Sequence, residues 1–181
     1  MIKELMAKLI EEKYLELQGF KQGGAFSKIF EFEGNATGQI GEKFIKKLFE
    51  VLNLSLDDTS KEIIHDEFDL LSKGKKIEVK TARKGLKNNT FQFNDINPKY
   101  NYDYIILLGL TYDELYFYII DKKRDYLYEH KTRKEFIKID NKLKQLVMMN
   151  PGNAVNLKLS LNLTDLKSSE DLADELRALF A

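Results

Sequence analysis

Ile64-His65-Asp66-Glu67-Phe68-Asp69-Leu70-Leu71-Ser72-Lys73-Gly74-Lys75-Lys76-Ile77-Glu78-Val79-Lys80-Thr81-Ala82-Arg83 is the stretch whose reading sets the fold class. Residues 64–72 and 76–83 alternate in the strand manner, and Lys73-Gly74 between them suits a two-residue turn. In such a hairpin Leu70 faces Ile77 and Phe68 faces Val79, which makes one side apolar. On the other side Asp69 faces Glu78 and Glu67 faces Lys80. Opposed residues on one face have Cβ atoms about 4.5–5.5 Å apart. Two carboxylates at that separation repel unless something positive lies between them, and a divalent cation with oxygen ligands at about 2.0–2.6 Å is the natural candidate. Val79 can add its backbone carbonyl, because its side chain points to the core. The alternative is a solvated sheet face with Lys80 paired to Glu67. His65, Asp66 and Glu67 are further polar groups nearby, but Asp66 alternates onto the Phe68 side.

Upstream, residues 37–52 predict an amphipathic helix. Ile40, Gly41, Phe44, Ile45, Leu48 and Leu52 share a face, and Lys43, Lys46 and Lys47 fall away from it. Residues 2–18 predict another helix, stopped by Gly19. Downstream, Thr90 to Asn94 reads as a short strand and residues 95–101 as a loop. Tyr104 to Leu110 is a continuous apolar run, as in a strand buried on both faces. Residues 115–120 return the chain, 133–149 have a helical reading, and Asn150-Pro151-Gly152 is a turn. Residues 155–163 alternate as a half-buried strand, and Ser168 or Ser169 can cap a last helix. No internal boundary appears, so one α/β or α+β domain is expected over 1–181. Its core spans about 36–120, with an N-terminal helix and arm before it and a C-terminal elaboration after.

Composition narrows the chemistry. The 181 residues contain no Cys and only 2 His, which excludes disulfide scaffolds and Cys-ligated zinc or iron–sulfur sites. A metal would rest on oxygen ligands, hence a hard cation. The N-terminus lacks the layout of a signal peptide, and no apolar run approaches the roughly 20 residues of a spanning helix. A cytoplasmic protein with no membrane partner is the expectation. The 29 basic and 29 acidic residues cancel, yet Lys73, Lys75, Lys76, Lys80, Arg83, Lys84 and Lys87 form a basic run through the hairpin. Such a run suits a phosphate backbone, although lysines on a hairpin also block edge pairing.

Asp69 followed by Glu78-Val79-Lys80 across a short hairpin resembles the motif of the PD-(D/E)xK nuclease superfamily, with Phe68 in place of the proline. The resemblance covers about residues 36–120 and is most like a type II restriction endonuclease. It implies a restriction-endonuclease-like core, a mixed central β-sheet flanked by helices. It also implies hydrolysis of double-stranded DNA with Mg²⁺, for which Mn²⁺ would substitute. Asp69 and Glu78 would then bind the metal with the Val79 carbonyl, and Glu42 on the upstream helix would join or adjust the site. Lys80 would position the attacking water. DNA contacts are expected from Lys76, Thr81, Arg83, Lys84 and Lys87, and from Asn88, Asn89, Gln92, Asn94, Asn97, Lys99 and Tyr100 in the amide-rich segment, whose side chains suit base edges and phosphates. A homodimer with one site per strand is implied. A structure-selective nuclease such as a junction resolvase, or a non-catalytic DNA-binding module of the same fold, are the other readings.

Overall fold

The computed structural model describes residues 7–9, 15, 24–57, 67–86, 88–150, 152 and 155–181. Of the helix expected over 2–18, residues 7–9 and 15 are described and are helical. His65, Asp66 and Lys87 lie outside the described residues.

The hairpin forms about the expected turn, but its first strand, expected over 64–72, is confined among the described residues to Leu70–Ser72. Strand β1 (Leu70–Ser72) pairs antiparallel with β2 (Lys75–Arg83) in the register Leu70 to Ile77, Leu71 to Lys76 and Ser72 to Lys75. Lys73 and Gly74 have φ of 48° and 75°. Two successive left-handed residues make the turn whose twist matches the strands, and glycine occupies the second without a Cβ penalty. Strand β2 then runs parallel to β4 (Tyr104–Leu110), from Ile77 beside Tyr104 to Arg83 beside Leu110. Strand β5 (Leu115–Asp121) returns antiparallel to β4, and the two-residue β10 (Lys167–Ser168) closes the order β1-β2-β4-β5-β10. The central sheet is therefore mixed.

Helix α1 (Gly34–Val51) buries Thr37, Gly41, Ile45 and Phe49 against one face of this sheet. Helix α2 (Leu172–Phe180) buries Leu172, Leu176 and Phe180 on the same face. Its entry is capped as expected: Ser168 accepts a hydrogen bond from the Glu170 N–H in the 3₁₀ turn Ser169–Asp171 that leads into it. The helices, Ile77, Val79, Ile106, Leu108, Phe117 and Ile119 make one core.

A second sheet covers the other face. Its order is β3-β9-β8-β7-β6, with β3 at Thr90–Ile96, β6 at Tyr126–Glu129, β7 at Lys134–Ile139, β8 at Lys142–Met148 and β9 at Leu157–Asn162. Every pairing in it is antiparallel. Phe91, Phe93, Leu159 and Leu161 meet Ile105, Leu107, Tyr118 and Ile120 in a second core. The fold is mixed α+β in three layers: helices, mixed sheet, antiparallel sheet.

Several expectations change. The central sheet is flanked by helices on one face and by a sheet on the other. Phe91 to Asn94 belongs to that second sheet, and the strand extends to Ile96, into the expected loop. Residues 133–149 form the β7–β8 hairpin instead of a helix. Ile139 pairs with Lys142 across Asp140-Asn141, and Asp140 has φ 52°, a turn conformation that Asp tolerates better than most residues. Its buried residues are Ile137, Ile139 and Leu146. The part expected as an elaboration supplies α2, β10 and four of the five strands of the second sheet.

Candidate active site

Regular pairing of the hairpin stops at Leu70, because the Asp69 N–H donates to the Ile77 carbonyl at 2.9 Å, the carbonyl opposite Leu70. The chain slips by one residue there. Phe68, expected beside Val79 and Leu70, turns instead into the second core with Tyr102 and Ile105. The Val79 N–H, which a longer β1 would have bonded to a backbone carbonyl, donates to Asp69 Oδ2 at 2.7 Å. From Val79 onward the β2 edge is uncovered by β1. The N–H and C=O of a strand residue point to the same side, so the Val79 carbonyl also faces that uncovered edge.

The edge is the floor of an open groove of ≈ 660 Å³. One wall is the N-terminal half of α1, with Asn35, Gln39 and Glu42. The other is β3, with Gln92, Asn94 and Asp95. Asp69, Val79 and Lys80 border it from the hairpin. Glu78 lies just behind, its carboxylate 2.6 Å from the Lys80 ammonium, and these side chains are 12% and 19% exposed. The Glu67 carboxylate accepts from the Asn101 N–H at 3.3 Å; Lys80 takes Glu78 as its partner in place of Glu67.

Three carboxyls share one electrostatic field. Burial pushes Glu78 up to about 7; Lys80 opposes this, and the charges of Asp69 and Glu42 add to it. Burial also raises Asp69, against the Val79 N–H, Lys80 and Lys46. Glu42 is raised by burial and then by Asp69, with Lys46 and Lys80 opposing. Desolvation thus makes all three reluctant to ionise, with repulsion adding to it at Glu42 and Glu78, the condition a bound cation relieves. Among the described residues no group of three or more His, Asp or Glu stands ready-made as a metal cage. The donors beside the groove are Glu42, Asp69 and the Val79 carbonyl, with Glu78 held by Lys80. The set is all oxygen, which fits Mg²⁺ or Mn²⁺ and no soft metal.

The expected DNA-contact residues divide. Asn88, Gln92 and Asn94 line the groove, and the Gln92 amide donates to Asn94 Oδ1 at 3.0 Å. Arg83 also lines it, but its guanidinium donates to the Phe30 and Phe32 carbonyls at 2.6 and 3.3 Å, which caps the 3₁₀ helix Ser27–Glu31. Thr81 borders the groove with its hydroxyl buried and unbonded, so it offers no contact. Asn97 is buried and accepts from the Lys99 N–H at 3.0 Å; it holds a turn. The Tyr100 carbonyl accepts from Lys122 Nζ at 2.5 Å, and its ring packs on the second core. Lys84 Nζ donates to Asn89 Oδ1 at 3.3 Å. Neither Lys84, Asn89, Asn97, Lys99 nor Tyr100 borders the groove.

The basic run is not a basic cleft. Lys75 donates to the Leu179 carbonyl at the end of α2, and the Lys76 ammonium lies over the Phe68 ring. Alternation sends consecutive lysines to different faces, so a run in sequence becomes a scatter in space. Two groups at the site are not among the individually expected site residues. Lys46 acts on Glu42 and Asp69, and its signal was present: it stands four residues after Glu42, one helical turn on. Asp95 had none, because it reaches the groove through an irregularity in β3.

Comparisons with protein-family models, with curated proteins and with solved structures each find no match. Among the described residues no helix is long and apolar enough to cross a membrane.

Proposed function

We propose that this chain is a Mg²⁺-dependent endonuclease that hydrolyses phosphodiesters of double-stranded DNA, of the PD-(D/E)xK kind and site-specific. The observation that carries the proposal is the cluster at the slip in the hairpin. Glu42, Asp69 and Glu78 are mutually coupled, Lys80 stands among them, and an open groove runs past. The preceding helix with its glutamate, the Asp69 and Glu78-Val79-Lys80 hairpin and the buried strand beside it also support a restriction-endonuclease-like core. The departure is β3, which lies in the second sheet.

In this reading Asp69, Glu42 and the Val79 carbonyl would hold the cation, with Glu78 as a further carboxylate were it free of Lys80. The bound cation supplies charge neutralisation at the phosphate and a more acidic water. Asp69 is oriented by the Val79 N–H, which fixes one carboxylate oxygen of a residue that lines the groove. Lys80, freed from Glu78, orients the attacking water and balances the charge that develops on phosphate oxygens. Two copies, one for each strand, follow from the family resemblance.

The test is incubation of supercoiled plasmid with Mg²⁺ or Mn²⁺, followed by sequencing of the ends. Wild type should give discrete ends. Asp69→Ala and Lys80→Ala should lower the rate by about 10²-fold or more with an unchanged circular dichroism spectrum. Plasmid left intact by folded wild type in both cations would sink the proposal. Nicks confined to branched DNA would identify a structure-selective nuclease.

A further inference from the structure

Strand β3 alternates Phe91 in, Gln92 out, Phe93 in, Asn94 out, and then breaks step. Asp95 is also exposed, and Ile96 is the next buried residue. The pairing with β9 shows the cause. Phe93 sits opposite Leu159 and Ile96 opposite Leu157, so β3 carries one residue more than its partner between those points. Asp95 has φ 56°. The extra residue is a β-bulge, and its effect is to turn two consecutive side chains, Asn94 and Asp95, to one side. That side is the groove, on the wall opposite Asn35, Gln39 and Glu42. The bulge also resets the alternation: without it Asp95 would follow Phe91 and Phe93 inward and Ile96 would turn out, whereas Ile96 is buried and Asp95 is exposed. Asp tolerates left-handed backbone better than most residues, so it can hold the bulge while its carboxylate borders the groove.

We propose that this bulge is a base-reading element, in which Asp95 accepts a hydrogen bond from an exocyclic amino group, cytosine N4 in the first place, with Asn94 and Gln92 beside it. The inference deepens the nuclease proposal and rests on its placement of duplex DNA in the groove. Charge decides the partner. A carboxylate on the wall of a DNA groove repels phosphates, and the favourable contact open to it on a duplex is an amino donor on a base edge. Position agrees. Strand β3 is the terminal strand of its five-stranded sheet, paired with β9 and bridged to Lys84 through Phe91, and its exposed side chains project from that edge as a strand's must to reach the major groove, where cytosine N4 is displayed. The Gln92 to Asn94 hydrogen bond holds both amides in fixed orientation and leaves the Gln92 carbonyl and an Asn94 N–H for adenine.

The experiment is selection of randomised duplexes by binding to the full-length protein without divalent cation, then sequencing of the bound pool. Wild type should enrich cytosine at one position of each half-site. Asp95→Asn keeps a residue that tolerates left-handed backbone and replaces an acceptor by an amide that matches adenine. It should lower the cytosine preference at that position about 5-fold or more, shift it toward adenine, and leave other positions unchanged. Asp95→Gly, which suits the same backbone, should erase the preference. An unchanged enrichment profile in both variants, or an equal change at every position, overturns the base-reading role. Base preference without plasmid cleavage would retain this inference and reject the nuclease. Cleavage with a profile indifferent to Asp95 would do the reverse.

Discussion

Glu78 is the residue in which the chemistry of the site is most concentrated. Its folded-state carboxyl titrates near 7 against 4.5 in the open chain. A raised carboxyl means that the folded protein holds the proton more tightly than the unfolded one. Its stabilising contribution is complete below pH 4.5 and is lost as pH rises through 7. The loss approaches about 3 kcal/mol at most, and Glu42 and Asp69 act with the same sign. In chelator, the melting temperature should therefore fall between pH 5 and 7.5. Glu78→Gln, which keeps the shape without the charge, should flatten part of that slope. Mg²⁺ should flatten it in wild type, because the cation takes the place of the proton. Equal slopes in wild type and Glu78→Gln would contradict this account of the cluster. The turn at Lys73-Gly74, legible in the sequence, makes Asp69 and Glu78 expected neighbours, but the structure brings them near each other through the slip, which sets Asp69 against the Ile77 carbonyl instead of opposite Glu78. The partner of Lys80 was not legible. Regular alternation put Glu67 opposite it, and the slip at Asp69 removed Glu67 from the face.

At the scale of elements, helix α1 is held to β2 by one close approach. A Cβ built on Gly41 would lie 1.8 Å from Thr81 Oγ1 and 3.0 Å from Thr81 Cβ. Only glycine lets the helix sit this low, and Glu42 follows it by one residue. Gly41→Ala should destabilise by about 1–3 kcal/mol, read by urea unfolding, and should slow cleavage by displacing Glu42. Thr81→Ala removes a buried hydroxyl that has no partner, so alone it should change stability by less than about 1 kcal/mol and leave cleavage intact. Combined, the two should cost less than their sum. Additive effects would show that the contact does not set the helix height. The helix itself was plain from its apolar face, but its first turn was not. It begins at Gly34 after Glu33, which makes no side-chain cap, so the capping signal that marks a start in sequence is missing. The β7–β8 hairpin was hidden for a related reason. Asp140-Asn141 is a weaker turn signal than a pair containing glycine, and the apolar residues on either side admit both periods.

At the scale of the molecule, β4 joins two cores. Ile106 and Leu108 belong to the helix side, Ile105 and Leu107 to the side of the second sheet. The sequence announced a strand buried on both faces, but could not say that a second sheet, built mostly after residue 121, supplies one of them. That pairing joins distant segments through backbone hydrogen bonds, for which side-chain periodicity gives no partner. The consequence is mechanical as well as architectural. The groove has one wall from the helix layer and one from the second sheet, so the cluster and the bulge stay in register only if both layers hold to β4. Phe49 and Phe91 are fully buried on opposite sides of the central sheet. Phe49→Ala and Phe91→Ala should each cost about 3–5 kcal/mol. If the layers form one cooperative unit, each variant should unfold in a single transition, with tyrosine fluorescence and far-ultraviolet circular dichroism coincident. Two separated transitions in Phe91→Ala, with the helices melting later, would mean that the second sheet is an independent layer. Base reading at Asp95 would then be free to uncouple from the cluster around Asp69.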